Sequence, residues 1–547
     1  MAGYLVEKLS SLCFYKNPQI VTVNLGNYPF AGNSMYKAFY NCSSLTSVTN
    51  INSNVVNMAS TFFSCSQLID APVIPNSVEN MTSTFTNCKA LTNFNAFPIN
   101  VIVLNGTFMG CNKIQSAPDI PESVVYMNST FKNCNSLSVA PTLPTTINSL
   151  SNTFYNTGLI DAPYIPDSVE YMDYAFAYSK NLKNVSHISN NCKSLLWAFA
   201  GCESLNKLPA SIPNSVISMA RTFDGCYSLT SSPTIPNSVT SMVYCFSRCN
   251  HLAQAPVLPS GLKSIDFCFN GCTALTTAPL IPVSVTNIDS AFSNSGITAS
   301  PVINHLSEIN TGIWGGCNGI FKNCENLTTI GSPFPSSVRN ISYACQNCTK
   351  LTDSMAKTLI SEIDTLEDFQ MNYTFSGCSN VINPNLSSLK AKVNMAYAFE
   401  NCTKLTGCTL PPNCVNASSA FQFCTSLVTM PTLPNGIKDI SDICLSCNKL
   451  TTASIIPATV TSIAYAFYNC ENLTGTINIL SPNINTAASA FHGISVAHPG
   501  RRKNVYIPFK YANGVNTVTY DTLIWCGYTT NGSEYNVYLM DNNLRPS

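Results

Sequence analysis

"VENMTSTFTNCKALTNF", Val78 to Phe94, and "VVYMNSTFKNCNSLSVAPTLP", Val124 to Pro144, are copies of one unit. Aligned on Phe85 and Phe131, both read Val-x-x-Met-x-x-Thr-Phe-x-x-Cys-x-x-Leu. Its fuller form runs on to Ala-Pro-x-Ile-Pro-x-Ser, as in Ala71 to Ser77. The Phe serves as an anchor. It recurs at Phe39, Phe62, Phe85, Phe108, Phe131, Phe154, Phe176, Phe199, Phe223, Phe246, Phe269 and Phe292, in steps of 23 with one 22 and one 24. After two irregular stretches it resumes at Phe321, Cys345, Phe375, Phe399, Phe421, Cys444, Phe467 and Phe491. That gives 20 coils between about residues 35 and 494.

Fixed apolar places with variable residues between them are what stacking demands, because each coil buries its apolar positions against the same positions of its neighbours. A 23-residue period is too short for two helices. Short β-branched runs bounded by proline favour strands and turns. "PNSV" and "PxIP" mark corners, since proline fixes φ and removes a ladder donor. Length alone would suggest several domains for 547 residues, but a one-dimensional stack needs no separate cores.

This unit resembles the leucine-rich repeat family in its BspA-like branch, whose motif runs Phe-x-x-Cys-x-x-Leu-x-x-Ile-x-Ile-Pro. The matching stretches include "FTNCKALTNF" from Phe85 and "FDGCYSLTSSPTIP" from Phe223. The resemblance implies a β-rich solenoid, a right-handed coil of about 20 repeats with end caps. It also implies a binding or structural role of the kind found in bacterial surface proteins and gut phage structural proteins. A fold of this type does not itself fix a function.

The cysteines follow the same ruler. Sixteen of the 20 coils place one three residues after the anchor: Cys42, Cys65, Cys88, Cys111, Cys134, Cys202, Cys226, Cys249, Cys272, Cys324, Cys348, Cys378, Cys402, Cys424, Cys447 and Cys470. Thr157, Ser179 and Ser295 stand in for it elsewhere, so the place accepts small, weakly polar side chains. A buried structural thiol that lends its S–H to a turn carbonyl fits best. Zinc ligation would want Cys-x2-4-Cys pairs, and disulfides would want partners along the stack. Cys245/Cys249, Cys268/Cys272, Cys345/Cys348 and Cys444/Cys447 have such spacing, although the first member of each replaces the anchor or its neighbour. Free thiols at this density suit assembly in a reducing compartment.

Charge narrows the partners. Lys+Arg and Asp+Glu are 27 each and only 10% of residues are charged, against about 25% ordinarily. Nucleic-acid binding and polybasic membrane attachment are therefore not expected. No apolar run approaches a membrane span, and the start, "MAGYLVEKLSSLCFYKNPQI", does not read as a secretory signal.

Two stretches lengthen the coil. One contains residues 305–320. The other, 351–370, spaces Met355, Leu359, Ile363 and Leu366 for an amphipathic helix capped by Asp353 or Ser354, expected on the convex side. Residues 1–34 are expected to cap the stack or attach it to another protein, and 495–547 to form a β-rich cap. In the latter, "NVYIPF" and "TVTYDTLIW" read as strands joined by Asn-Gly turns, and Arg501, Arg502 and Lys503 as a solvated turn or a partner site.

No catalytic constellation, phosphate loop or metal motif is present, so neither enzymatic activity nor a cofactor is expected. One column does invite a function. Two residues before the anchor stand Tyr174, Trp197, Tyr244, Phe267, Tyr343, Tyr373, Tyr397 and Tyr465. Other coils place Lys37, Arg221 or Asp442 there, which argues against full burial. Either the rings form an exposed strip for sugar rings or a protein, or they pack over the edge of the core, which is preferred. The sequence thus predicts a non-enzymatic virion appendage, such as a tail or head fibre, touching a host glycan or protein. Such a chain would be assembled in the host cytoplasm, join other virion proteins through a terminal segment, and be able to form a homo-oligomer. The alternatives are a cell-surface adhesin and an intracellular protein-binding scaffold.

Overall fold

The computed structural model describes residues 8–26, 28–306, 316–474, 477–481, 484–493, 503–508 and 535–540. They divide into two units, residues 1–262 with 271–274, and residues 263–270 with 275–547.

Backbone hydrogen bonding explains the coil. In the first unit, alternate amides from Met81 onward donate to the next coil: Met81 to Val103 O (2.9 Å), Ser83 to Asn105 O (2.8 Å), Phe85 to Thr107 O (2.8 Å) and Asn87 to Met109 O (2.7 Å). The amides between them turn inward, Thr84 to Met81 O, Thr86 to Ser83 O and Cys88 to Phe85 O, at 3.0–3.2 Å. Local turns and inter-coil rungs thus share the donors, and no amide of this segment is left without an acceptor. The second unit repeats the scheme, with Tyr373 donating to Ala396 O, Phe375 to Ala398 O and Cys378 to Phe375 O.

This alternation requires left-handed backbone at two places per coil. Ser83 has φ of 54° and Asn87 of 60°, and the residues two before and two after nearly every anchor do likewise. The place after the anchor, just before the cysteine, is filled mainly by Asn and Gly, which tolerate that region best.

The expected β-rich character is accordingly corrected. Most coils contribute single parallel bridges, such as Asn57 to Asn80, Asn80 to Val103 and Val103 to Tyr126. Longer pairings are few among the described residues. β1 (Thr22–Asn24) pairs in parallel with β2 (Ser47–Thr49), and β3 (Asp368–Gln370), β4 (Lys392–Asn394) and β5 (Cys414–Asn416) form a parallel sheet in that order. Positive φ twice in each turn keeps extended segments short.

The core is a set of columns. Anchor rings stack on one another, Phe39 on Phe62 at 5.4 Å and Phe108 on Phe131 at 5.7 Å in the first unit, Phe269 on Phe292 at 5.6 Å and Phe375 on Phe399 at 5.4 Å in the second. They are fully buried beside Met81, Val78 and Leu91 and their equivalents. Burying each such ring stabilises by roughly 1.5–3 kcal/mol.

The segment before the first anchor continues the register. Phe14 stacks on Phe39 at 4.9 Å, its amide donates to Ala38 O, and Leu12 and Lys16 take positive φ as the flanking residues do elsewhere. Residues 8–26 and 28–34 therefore pack as a further coil. Its cysteine place holds Asn17, which hid the match in the sequence.

α1 (Asp353–Ile360) is shorter than its pattern. Ala356, Leu359, Ile360 and Ile363 are buried, but Leu366 lies beyond the helix and is 78% exposed. Thr352 occupies the cap, but its hydroxyl meets Ser354 Oγ at 3.0 Å and caps no backbone amide. Asp353, expected there, instead accepts the amides of Ile382 and Asn383 at 2.8 and 2.9 Å. The Leu359 carbonyl takes the amide of Phe334, so the helix replaces an extended corner and keeps its rung. At the far end β6 (Ile477–Asn478), β7 (Lys503–Pro508) and β8 (Tyr535–Met540) form a parallel sheet. β7 pairs with β8 in parallel, Lys503 opposite Tyr535 through Pro508 opposite Met540, and the Asn-Gly turns expected between strands lie outside the described residues. "TVTYDTLIW", Arg501 and Arg502 lie outside the described residues.

Candidate binding surface

Three residues beyond each anchor, the thiol column is tied to the coil before it. The S–H of Cys65 donates to Phe39 O (3.1 Å), Cys88 to Phe62 O, Cys111 to Phe85 O and Cys134 to Phe108 O (each 3.0 Å). In the second unit Cys402 donates to Phe375 O and Cys447 to Phe421 O, both at 3.1 Å. Each anchor carbonyl therefore serves its own turn and the next coil's thiol. Where the column holds Ser179, its hydroxyl donates to Phe154 O at 2.8 Å, the same bond made by oxygen. A small donor is what the place needs.

Burial pushes the Cys134, Cys272 and Cys402 thiols up to about 12, and others further. Such thiols remain protonated at neutral pH and are poor nucleophiles and ligands. The described cysteines are all free, and no group of three metal-binding side chains occurs among the described residues. Cys345 and Cys444, standing where the anchor should, are fully buried beside Cys348 and Cys447.

The aromatic column lies at the left-handed position before the anchor. Tyr174, Trp197, Tyr244, Phe267, Tyr343, Tyr373, Tyr397 and Tyr465 all have φ between 53° and 59°. That φ comes from the turn, so the backbone sets the position, and side chains other than β-branched ones are found there. The first seven are half-buried and Tyr465 is 40% exposed, so the column forms a rim over the core. In the first unit Tyr174 stacks on Trp197 at 5.5 Å, and the Arg221 guanidinium lies 4.5 Å from the Trp197 ring and 3.8 Å from that of Tyr244. In the second, Tyr343 stacks on Tyr373 at 4.8 Å and Tyr373 on Tyr397 at 4.4 Å, with Lys322 5.1 Å from the Tyr343 ring. Tyr465 instead tilts against Tyr468. Face-to-face stacking takes up the ring faces, leaving edges and phenol groups as the accessible part. Within each stack the ring faces meet one another, so a ligand would meet the edges of these rings.

A second feature was not anticipated. Asp224, one residue after its anchor and 1% exposed, accepts Arg221 Nη1 at 3.0 Å on one oxygen and Arg248 Nε and Nη2 at 3.1 and 2.9 Å on the other. Its only sequence signal was the coincidence of Arg221, Asp224 and Arg248 at fixed places in successive coils.

The family model described as the BspA type leucine rich repeat region matches residues 4–115, 101–221, 197–320, 317–416 and 371–497. The chain belongs to this family. Among solved structures, this BspA-type chain is similar to a leucine-rich repeat protein from Bacteroides ovatus, at 18% identity and a TM-score of 0.28, covering 95% of this chain and 92% of that one. It is also similar to a leucine rich cell surface protein from Faecalibacterium prausnitzii, at 20% identity and a TM-score of 0.36, covering 69% of this chain and 85% of the other. A leucine-rich repeat protein from Eubacterium ventriosum is 16% identical, with a TM-score of 0.20 over 87% of this chain and 89% of its own. Comparison with curated proteins gives no match.

Proposed function

We propose that this BspA-type chain is a non-enzymatic scaffold, a right-handed stack of about 20 coils with end segments as caps or attachment points, that binds a surface ligand through its aromatic rim. One observation carries the proposal: half-exposed aromatic edges recur at one place of the coil, although the left-handed backbone there favours small residues and core packing does not call for a ring. A row of phenol and indole edges suits a glycan or a protein contacted at several coils. Contacts of the order of millimolar each sum to useful avidity when several engage together.

The deciding experiment probes arrays of host-surface glycans and purified surface proteins with the full chain and with the Tyr373→Ser/Tyr397→Ser double variant. A loss of tenfold or more in the variant, with unchanged thermal unfolding, supports the rim as the contact surface. Undiminished binding removes the rim from the function. The place of display is read separately, by mass spectrometry of washed virus particles and of cell envelopes. Fixed stoichiometry in particles makes the chain a virion appendage, and recovery in envelopes makes it a cell-surface adhesin.

A further inference from the structure

The two aromatic stacks differ in charge. In the second unit three tyrosines follow one another, whereas in the first a guanidinium replaces the third ring. Arg221 is sandwiched by Trp197 and Tyr244, and its Nη1 is held by Asp224. Among the described residues that is the single hydrogen bond of its guanidinium, so most of its five N–H groups keep donor capacity, and its side chain is 30% exposed. Arg248 reaches the same carboxylate from the next coil and is 54% exposed. It lies over Gly225, with Nη2 3.6 Å from where a Cβ would stand. Tyr178 leans over Gly201 in the same way, its ring 2.8 Å from such a Cβ. Gly201, at a left-handed position, thus makes room for the Tyr178 ring, while Arg248 meets Gly225 at ordinary contact distance.

The balance of charge is positive. In the ion pairs with Asp224, two guanidiniums share one buried carboxylate, so the cluster holds more positive than negative charge. The buried Asp224 fixes both cations, and stacking holds the Arg221 plane, so little side-chain freedom is lost when an anion arrives. Aromatic edges carry partial positive charge and add to the attraction. We propose that Trp197, Arg221, Tyr244, Arg248 and Tyr178 form a site for the carboxylate of an acidic saccharide, with Asp224 as its positioning residue.

A saccharide fits better than a polyanion. A nucleic acid or acidic peptide presents charge at each residue and calls for a basic stripe, while only 10% of this chain is charged and its net charge is zero. A cationic locus in a charge-poor chain rich in hydroxyl and amide side chains matches a ligand with few carboxylates among many hydroxyls. The proposal rests on the binding role proposed above and names the ligand chemistry for one of the two stacks.

Isothermal titration of the full chain tests it with three probes: a tetrasaccharide of alternating glucuronate and N-acetylglucosamine, its carboxyl-reduced neutral counterpart, and tetraglutamate. We expect the acidic saccharide to bind at least tenfold more tightly than either of the others. Arg221→Gln is expected to weaken it tenfold or more, and Arg221→Lys less, because charge survives while the planar fork is lost. If Arg221→Gln does not fold, the carboxyl-reduced probe decides on the unaltered chain. Equal binding of the neutral saccharide, or tighter binding of tetraglutamate, overturns the proposal. So does absence of binding to the acidic saccharide. The rim itself stands or falls separately, on the Tyr373→Ser/Tyr397→Ser variant in the other unit.

Discussion

The anchor column and the rim column lie two residues apart in the same coil, yet one is nearly invariant and the other holds Tyr, Trp, Ser, Lys, Arg, Gly or Asp. Their backbones carry equal duty, since Ser83 and Phe85 both send an amide to the next coil at 2.8 Å. What separates them is the side chain's destination. The anchor ring fills a dry space between two other rings, and any smaller residue leaves a void. The rim side chain leans outward, and its place is held by φ. Invariance therefore marks packing, and variation marks the surface on which a function can be written.

The largest expected effect breaks the inner column. Phe131→Ala removes a ring stacked on both sides and should cost about 3–5 kcal/mol, read as a fall in the urea midpoint. One column over, Cys111→Leu should cost about 1–3 kcal/mol through overpacking. Cys111→Ser should stay within about 1 kcal/mol, because a hydroxyl already makes this bond at Ser179. A similar cost for both would mean that the thiol column is tuned by something other than size and a donor.

At the rim, Ser83→Val should destabilise by about 1–2 kcal/mol, since a β-branched residue resists positive φ, whereas Ser83→Gly should be nearly neutral. Tyr373→Ser should lose only about 0.5–1.5 kcal/mol of ring stacking while weakening ligand binding. That contrast, small in stability and large in binding, is the signature of a rim.

A further test concerns one residue before the rim. Asp289 accepts the amide of Asn318 at 2.9 Å, as Asn105 accepts that of Asn128, but burial, with the neighbouring Asp266 carboxylate adding to it, pushes its carboxyl up to about 7. A raised carboxyl pKa means that the folded chain holds a proton the unfolded chain has released. Stability should therefore fall as pH rises from about 4 to about 7. Asp289→Asn keeps the acceptor and should flatten that part of the profile, raising stability at pH 8. An unchanged profile would place the carboxyl in solvent.

Much of this was legible in advance. The period, the anchors and the thiol column follow from spacing, because packing repeats the same chemistry in every coil. The left-handed positions were visible only as a preference for Asn, Gly and Ser before the cysteine, which reads as mere polarity until the turn is seen. Phe14 was missed because Asn17 breaks its motif. The helix was drawn too long because Ile363 and Leu366 extend the period past Ile360, where the chain turns away. The Arg221–Asp224–Arg248 cluster spans two coils, and no local motif encodes a contact between coils.

The most direct test of the two-column account is covalent footprinting of the native full chain, with iodoacetamide for thiols and tetranitromethane for tyrosines, read by peptide mass spectrometry. The account predicts that Cys111, Cys226 and Cys402 stay unmodified while Tyr343, Tyr397 and Tyr465 react. Alkylated ladder thiols beside protected rim tyrosines would contradict it.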